Sequence, residues 1–476
     1  MQDLTTTIRA TKKTAPIAPY AIHAHSSLRQ AAGAGYSGRF FTAFNSQLAR
    51  QYKFVASEWE QRRQTDLAEY WPQSVIPEGL TTTVKDVLPN GHGFDTWASM
   101  FNARQLLSHA LLLKAILETG DYTTNVRAFV LAAFQQYLRN NNLFTIWNIQ
   151  ADQLEPFFSN NNYNPKNTTV ENNVFAKFGR GNWKACIEGL KETLAWKENP
   201  WETVSIENLK IKSPELASSF SSKSTKVYPG DAVGVANIRC RSATDLSDIA
   251  SSTIDLVVTD PPFGDNIQYA ELSDFFYVWL RLARKKLGLE NFNSELTPKS
   301  LEVVTNQFRE GKEADKFFQR LLTEAWKEGY RILKPGGLLT FTFHHSEDEP
   351  WVAVLESLFD AGFYLEATYP IRSDETKGDG QFGSQKIEYD IIHVCRKRTE
   401  DPKAVSWGRM RREVMADVRQ LQRMLENHAI DGLPAADIQV IRRGKALEYF
   451  SRHYGKVYVD EGMHGCGQRR HQPSIR

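Results

Sequence analysis

A run of apolar residues near the middle of the chain constrains the fold most. The segment 254–258 (IDLVV) is apolar on both faces when it is extended, and it ends at Thr259. A strand of this type is typical of a parallel sheet that helices cover on both sides. Helical periodicity follows at about 271–284 and 313–333, and a second apolar strand follows at 338–343. This alternation predicts a doubly wound α/β fold.

Turn signals extend the predicted sheet. The sequence KPGG (334–337) marks a turn before the second strand. Pro350 fits the start of a helix and Gly362 fits a position just past its end. We expect strands at 363–369 and 387–395 to complete the sheet.

Composition divides the chain into six segments. At roughly 150 residues per domain, a chain of 476 residues holds about two to four packed units. The predicted segments are an N-terminal arm with loops (1–93), a mainly helical domain (94–212), a Ser- and Lys-rich linker (213–226), an α/β domain (227–400), a helical extension (401–462) and an irregular tail (463–476).

Charge and composition exclude several classes of protein. Lys and Arg number 58 and Asp and Glu number 56, so the chain as a whole is not a basic nucleic-acid coat. No apolar stretch reaches the roughly 18 to 20 residues of a membrane-spanning helix, and no secretory signal is recognisable. Four cysteines without CxxC spacing indicate neither a disulfide framework nor a Cys-rich zinc site. We therefore expect a soluble, cytoplasmic protein with no membrane partner.

The tetrapeptide Asp260-Pro261-Pro262-Phe263 directly follows the first apolar strand. Open α/β sheets bind ligands at the carboxyl ends of their strands, so we expect chemistry at this position. The two prolines fix φ and remove two amide donors, which makes the loop rigid. The Asp260 carboxylate and the Pro261 carbonyl are placed to accept hydrogen bonds from an exocyclic amine, and the Phe263 ring is placed to stack on a flipped base.

This motif resembles motif IV of the amino-methyltransferases that use S-adenosylmethionine (SAM). Residues 260–281 (DPPFGDNIQYAELSDFFYVWLR) resemble the large adenine-specific DNA methylases of prokaryotes, a family linked to phage defence that shares a domain of unknown function. Weaker matches (FNARQLL, YPGDA, RILKPGG and LEYFSRHYGKVY) follow the family's order, so the resemblance covers about 94–462. It implies a class I SAM-methyltransferase sheet, like a Rossmann fold, and methyl transfer from SAM to adenine N6 of double-stranded DNA.

The resemblance also implies roles for individual residues. Asp260 would accept from the adenine amine, Pro261 would supply the second acceptor, and Phe263 would stack on the flipped ring beside Pro262. Asp231 would bind the adenine end of SAM, although it fits a helix cap equally well. Asn266, Tyr269 and Asp274 are candidates as target-pocket residues or as loop and cap residues. His344, at the carboxyl end of a strand, is a candidate to touch the target base, and Arg281 is a DNA phosphate contact or a solvated helix end.

A metal site is not expected. His344 and His345 precede an acidic run at 347–349, which suits the positive end of the helix that begins at Pro350. A separate run of arginines at 409–423 alternates with apolar residues at helical spacing. It fits a solvated helix face or a track for phosphates.

One family motif is missing from the chain. The family has an earlier Asp-Pro-Phe-x-Gly-x-Gly loop that holds the methionine part of SAM. The Gly-rich segments 33–38, 178–181 and 378–383 do not lie between a strand and a helix, as that role requires. We therefore expect an incomplete sheet, with the SAM loop on a preceding polypeptide or lost by truncation, which the irregular tail supports. RNA or another amino group as substrate, and a catalytically silent DNA-binding subunit, remain alternatives.

Overall fold

The computed structural model describes residues 14, 19–33, 38–86, 88–159, 162–165, 169–176, 179–205, 224–228, 237–262, 264–288, 293–343, 348–372, 389–426 and 435–459. The chain divides into two compact units, which are described separately. Unit 1 comprises Met1–Ile238 and Tyr269–Lys299, and unit 2 comprises Arg239–Gln268 and Ser300–Arg476. This division departs from the predicted boundary at residue 227, because the helix after the Asp-Pro-Pro-Phe motif packs in unit 1.

Unit 1 is mainly helical and also contains three two-stranded antiparallel pairs. Its elements are β1 (Ala21–His25), α1 (Ser27–Ala31), β2 (Arg39–Ala43), α2 (Ser46–Arg62), α3 (Ala103–Glu118), α4 (Thr124–Arg139), β3 (Ile146–Asn148), β4 (Gln153–Glu155), α5 (Trp183–Glu198), β5 (Glu202–Ser205), β6 (Ser224–Val227) and α6 (Tyr269–Leu287). Short π-helical turns lie at Leu80–Lys85 and Leu88–His92, and a 3₁₀ turn at Trp97–Met100.

Aromatic side chains dominate the core of unit 1. Phe275 and Trp279 of α6 are buried there, and the ring of Phe101 stacks on Phe275 at 5.6 Å between centroids. The same Phe101 ring meets Trp279 edge-on at 5.5 Å. Helix α3 begins with a capping box, in which Asn102 and Gln105 satisfy each other's backbone amides. The apolar face of α6 therefore explains why this helix belongs to unit 1.

The first 93 residues contain more regular structure than the predicted arm and loops. Asn45 caps helix α2 by accepting a hydrogen bond from the Leu48 amide at 3.0 Å. Tyr52, Val55 and Trp59 follow at helical spacing, but only Trp59 is buried. Because this apolar stripe is sparse, the sequence predicts the helix only weakly. The helix is held in the core by the packing of Trp59 against Trp71.

Unit 2 contains a four-stranded mixed sheet with helices. Its elements are β7 (Ile254–Thr259), α7 (Gln307–Glu310), α8 (Ala314–Ile332), β8 (Leu333–Thr342), α9 (Asp348–Asp360), β9 (Phe363–Arg372), β10 (Tyr389–Lys397), β11 (Val405–Ser406), α10 (Trp407–Glu426), α11 (Ala435–Arg452) and β12 (Val457–Tyr458). The strand order is β7-β8-β10-β9, with β7 parallel to β8 and β10 antiparallel to both of its neighbours. The mixed α/β class is thus confirmed.

Strand β7 differs from its predicted environment. It lies at one edge of the sheet and, among the described residues, pairs with β8 alone. Ile254 and Val257 pack toward the core, whereas Leu256 is 50% exposed and Val258 is 71% exposed. One face of β7 is therefore open, although its sequence is apolar on both faces. The prediction of a strand covered on both sides is wrong for the described part of the chain.

The KPGG segment lies inside β8 and not in a turn before it. Ile254 pairs with Leu333 and Leu256 with Leu338, so the intervening residues of β8 form an irregularity in the ladder. Gly336 adopts φ +78° there, a conformation that glycine favours. Gly362 follows α9 at φ +96°, as predicted for a residue just past a helix end.

The helical extension contains helix α10, which packs on helix α11, and also the short strands β11 and β12, which pair in parallel. Met410, Val414 and Val418 of α10 are buried beside Tyr449 and Phe450 of α11. Among the described residues, no helix combines the length and the apolar character needed to cross a bilayer.

Among the described residues, a histidine is buried in the core of each unit. His109 of unit 1 lies 2.9 Å from the Tyr137 hydroxyl, and burial lowers its pKa to about 3. His393 of unit 2 stacks on Phe341 at 4.6 Å beside Trp351, and burial lowers its pKa to about 4. Both imidazoles are therefore neutral in the native protein at neutral pH.

We expect both units to lose stability as the pH falls from 7 to 5. The unfolded chain binds a proton at each histidine near the ordinary pKa of about 6.5, whereas the folded chain does not until about pH 4 or below. The stabilisation is complete above about pH 6.5 and is lost toward pH 4, by about 2 kcal/mol per histidine between pH 7 and 5. Urea unfolding at the two pH values measures the loss, and His393→Leu should lessen it for unit 2. An equal loss with and without His393 would contradict the assignment.

Candidate active site

Asp260 follows the carboxyl end of β7, where the register of the sheet places it beside β8. Thr259 pairs with Phe341, so the next residues along both strands, Asp260 and Thr342, are neighbours. The Thr342 hydroxyl donates a hydrogen bond to Asp260 Oδ1 at 2.5 Å. The Asp260 side chain is exposed. The threonine thus orients a solvent-facing carboxylate at the edge of the sheet where α/β proteins bind ligands.

The two prolines anchor the loop that begins at Asp260. Pro261 is buried and Pro262 is half-buried. A buried proline leaves no amide donor without an acceptor, so this backbone enters the interior at little cost. Gly264 then turns the chain at φ +65°, and its carbonyl accepts from the Thr305 amide at 3.1 Å. The loop is therefore held at both its start and its middle.

A pair of buried amides fastens the end of the same loop. Gln268 and Asn306 are 2% and 0% exposed, and Asn306 Nδ2 donates to Gln268 Oε1 at 2.8 Å. Gln268 Nε2 donates in turn to the Thr305 carbonyl at 3.1 Å. Asn306 also caps α7 by accepting from the Arg309 amide at 3.0 Å. Neither this clamp nor Thr342 is predicted from the sequence, and the one usable signal is the N-cap position of Asn306 before a helix.

Three of the predicted site residues lie outside the described residues. They are Asp231, Phe263 and His344. Their assigned roles in SAM binding, base stacking and target contact stay predictions. Asn266 is described, lies in the Asp260 loop and is exposed, as a residue that contacts a ligand must be.

Asp274 of α6 occupies a structural position in unit 1. It is 1% exposed, and one of its oxygens accepts from the Thr297 amide at 2.9 Å and the Thr297 hydroxyl at 2.6 Å. Lys299 Nζ donates to the other oxygen at 2.7 Å. These contacts support a role in holding the segment after α6, and not the pocket-lining alternative.

Tyr269 and Arg281 are the remaining candidates on α6. Tyr269 is 47% exposed at the first residue of the helix. Arg281 is half-buried and lines an open cleft of about 340 Å³ with Trp71, Val278 and Glu295. Tyr269 is therefore accessible to a ligand, whereas the half-buried Arg281 is less exposed than a solvated helix end would be.

The described residues do not form a site for the methionine part of SAM. Gly33 and Gly38 lie between α1 and β2, so that loop joins a helix to a strand and not the reverse. Gly181 precedes α5, but a Cβ there would meet Asn140 at 2.2 Å, which explains this glycine by packing. The segment 378–383 lies outside the described residues. No described loop with Gly-x-Gly spacing leads from a strand into a helix.

Comparisons with protein-family models, with curated proteins and with solved structures found no match for this chain.

Proposed function

We propose that this chain supplies the target-adenine side of a SAM-dependent, adenine-specific DNA methyltransferase. The product would be N6-methyladenine in double-stranded DNA. A polypeptide segment outside these 476 residues would supply the loop for SAM. The observation that supports this most is the Asp260 carboxylate, which Thr342 orients at the carboxyl end of β7, at the start of the Asp-Pro-Pro-Phe motif. The resemblance of residues 260–281 to adenine-specific methylases supplies the reaction class.

The residues of this chain would act on the amine of a flipped adenine. The amine is a weak nucleophile because its lone pair is delocalised into the ring. Hydrogen bonds from the amine to the Asp260 carboxylate and the Pro261 carbonyl would localise that lone pair and orient it. The anchored prolines and the Gln268–Asn306 clamp would keep both acceptors in position. Phe263 would stack on the ring.

The open edge of β7 supports a second polypeptide segment. Ligands of open α/β sheets bind in a crevice between neighbouring strands at their carboxyl ends. Among the described residues, β7 has a neighbour on one side only, so Asp260 has one wall of such a crevice. A strand added beside β7, from the segment that carries the SAM loop, would pair with the β7 backbone. A helix of that segment, packed on the same face of the sheet, would cover the exposed Leu256 and Val258.

Val258→Lys tests this docking edge. Because Val258 is 71% exposed, the substitution should change the free energy of unfolding by no more than about 0.5 kcal/mol. It should abolish transfer in the presence of the partner, since the lysine would be buried on docking. The matched control is Ile371→Lys, at a 37% exposed residue of β9, the strand at the opposite edge of the sheet. Equal transfer by Val258→Lys and Ile371→Lys would exclude docking at β7.

Transfer of label from tritiated SAM to methyl-free duplex DNA tests the proposed function. The chain is assayed alone and with the product of the adjacent upstream gene, and the DNA is digested to nucleosides. We expect label in N6-methyladenosine only when both polypeptides are present. Label with the chain alone would show that it holds a SAM loop of its own. Label in RNA only would show that RNA, and not DNA, is the substrate. No label in either polymer would refute the proposed transfer and favour the alternative of a catalytically silent DNA-binding subunit.

A further inference from the structure

Helix α10 presents a line of arginines along one face. Arg409, Arg412, Arg419 and Arg423 are all exposed, and Ala416 lies between the second and third. The spacing of three, four, three and four residues places all five positions within about 80° of the helix circumference. At 1.5 Å per residue, the line from Arg409 to Arg423 is about 21 Å long. These four arginines form the arginine stripe.

The opposite face of α10 fixes the direction in which the stripe points. Met410, Val414 and Val418 are 2%, 8% and 1% exposed and pack with Tyr449 of α11. Tyr449 also donates to Asp417 Oδ2 at 2.7 Å. The helix cannot rotate without losing this core, so the stripe is a preformed feature of the surface.

Most of the charge on the stripe is not neutralised by neighbouring side chains. Arg409 pairs with Glu413 at 3.0 Å. Arg412, Arg419 and Arg423 form no ion pair with any residue that the structure describes. The remaining acidic residue of the helix, Glu426, is its last residue. Arg423 Nε donates to the Arg419 carbonyl at 3.1 Å, a neutral acceptor, so the charge of all three guanidinium groups is available to a partner.

We propose that the arginine stripe binds the phosphate backbone of duplex DNA. Guanidinium groups pair with phosphate oxygens in a planar, bidentate geometry, and a straight row of them matches a repeating phosphate chain. The small Ala416 side chain in the middle of the row allows close approach. The choice of DNA as the polymer rests on the proposed function, whereas the stripe itself requires only a linear polyanion.

A membrane surface fits the stripe less well. A helix that lies in a lipid interface needs an exposed apolar face beside its basic one. In α10 the apolar face is buried against α11. The stripe therefore offers charge without an apolar face to insert.

The test is the salt dependence of DNA binding by the full chain without SAM, so that methyl transfer plays no part. The probe is a fluorescein-labelled 30-base-pair duplex, followed by anisotropy between 50 and 200 mM NaCl. The variant Arg412→Gln, Arg419→Gln, Arg423→Gln loses three phosphate contacts, and its slope of log affinity against log salt should fall by about 2.7. The fourfold salt increase should then weaken its binding about 40-fold less than it weakens the wild type.

A control variant removes the same charge elsewhere in unit 2. Lys312→Gln, Lys316→Gln, Arg320→Gln changes three exposed residues of the α8 region and should keep the wild-type slope within about 1. Equal slopes for the two triple variants would overturn the proposal, as would binding to anionic vesicles with no binding to the duplex. Tighter binding of duplex RNA would overturn the choice of DNA. Stripe-dependent DNA binding, with no methyl transfer when SAM and the partner polypeptide are added, would support the stripe and count against the proposed enzyme.

Discussion

Asp260→Ala is expected to lower methyl transfer to DNA by about 10²- to 10³-fold when the partner polypeptide is present, the loss that follows removal of one pre-positioned hydrogen-bonding group from an active site. In the proposed mechanism, the alanine removes the carboxylate that would orient the adenine amine. Because Asp260 is exposed, the loss should occur without unfolding. The measurement is label in N6-methyladenosine under single-turnover conditions, with circular dichroism to verify the fold.

Asp255→Ala is the matched control for Asp260. It removes a carboxylate from β7, five residues before Asp260, where the side chain forms an exposed ion pair with Lys334. Such a pair contributes about 0 to 1 kcal/mol, so transfer should stay near the wild-type rate. Thr342→Val should give an intermediate loss, because it removes the hydroxyl that orients Asp260 and keeps the carboxylate. Full activity of Asp260→Ala would refute the proposed chemistry.

Asp274→Ala should destabilise unit 1 by about 3 kcal/mol, which is the lower end of the range for removing one partner of a buried ion pair. The carboxylate is 1% exposed and accepts from the Thr297 amide and hydroxyl and from Lys299. Loss of the carboxylate leaves the Thr297 amide and the Lys299 ammonium without their acceptor in a part-buried site, where water replaces it only incompletely. Urea unfolding followed by tryptophan fluorescence measures the change.

A role for Asp274 in the target pocket predicts a different result. In that case Asp274→Ala would lower DNA affinity and leave the free energy of unfolding near the wild-type value. Asp274→Asn separates the two further, since it keeps an acceptor for Thr297 but loses the charge that Lys299 contacts. Glu188→Ala, which breaks an exposed pair with Lys191, is the control and should cost less than about 0.5 kcal/mol.

Local signals in the sequence predicted the elements around the candidate site well. Strand β7 corresponds to the apolar run at 254–258, and helix α8 to the helical periodicity at 313–333. Helix α9 corresponds to the start and end signals at Pro350 and Gly362. These signals depend on near neighbours along the chain, which is why they could be read without contacts. The motif residue Asp260 could be located for the same reason, since it directly follows a strand.

Long-range packing decided the remaining features. The sequence of β7 is apolar on both faces, but only the strand order shows that it is an edge strand with Leu256 and Val258 exposed. The hydroxyl of Thr342 reaches Asp260 because two strands are in parallel register across 82 residues of sequence. The direction of the arginine stripe follows from the burial of Val414 and Val418 on α11, a contact that helical spacing alone leaves open. The sequence by itself thus determined the helices and strands around the site and the position of Asp260. The strand order and the buried partners were decided only by the tertiary structure, because no local pattern specifies which distant segment will cover which face.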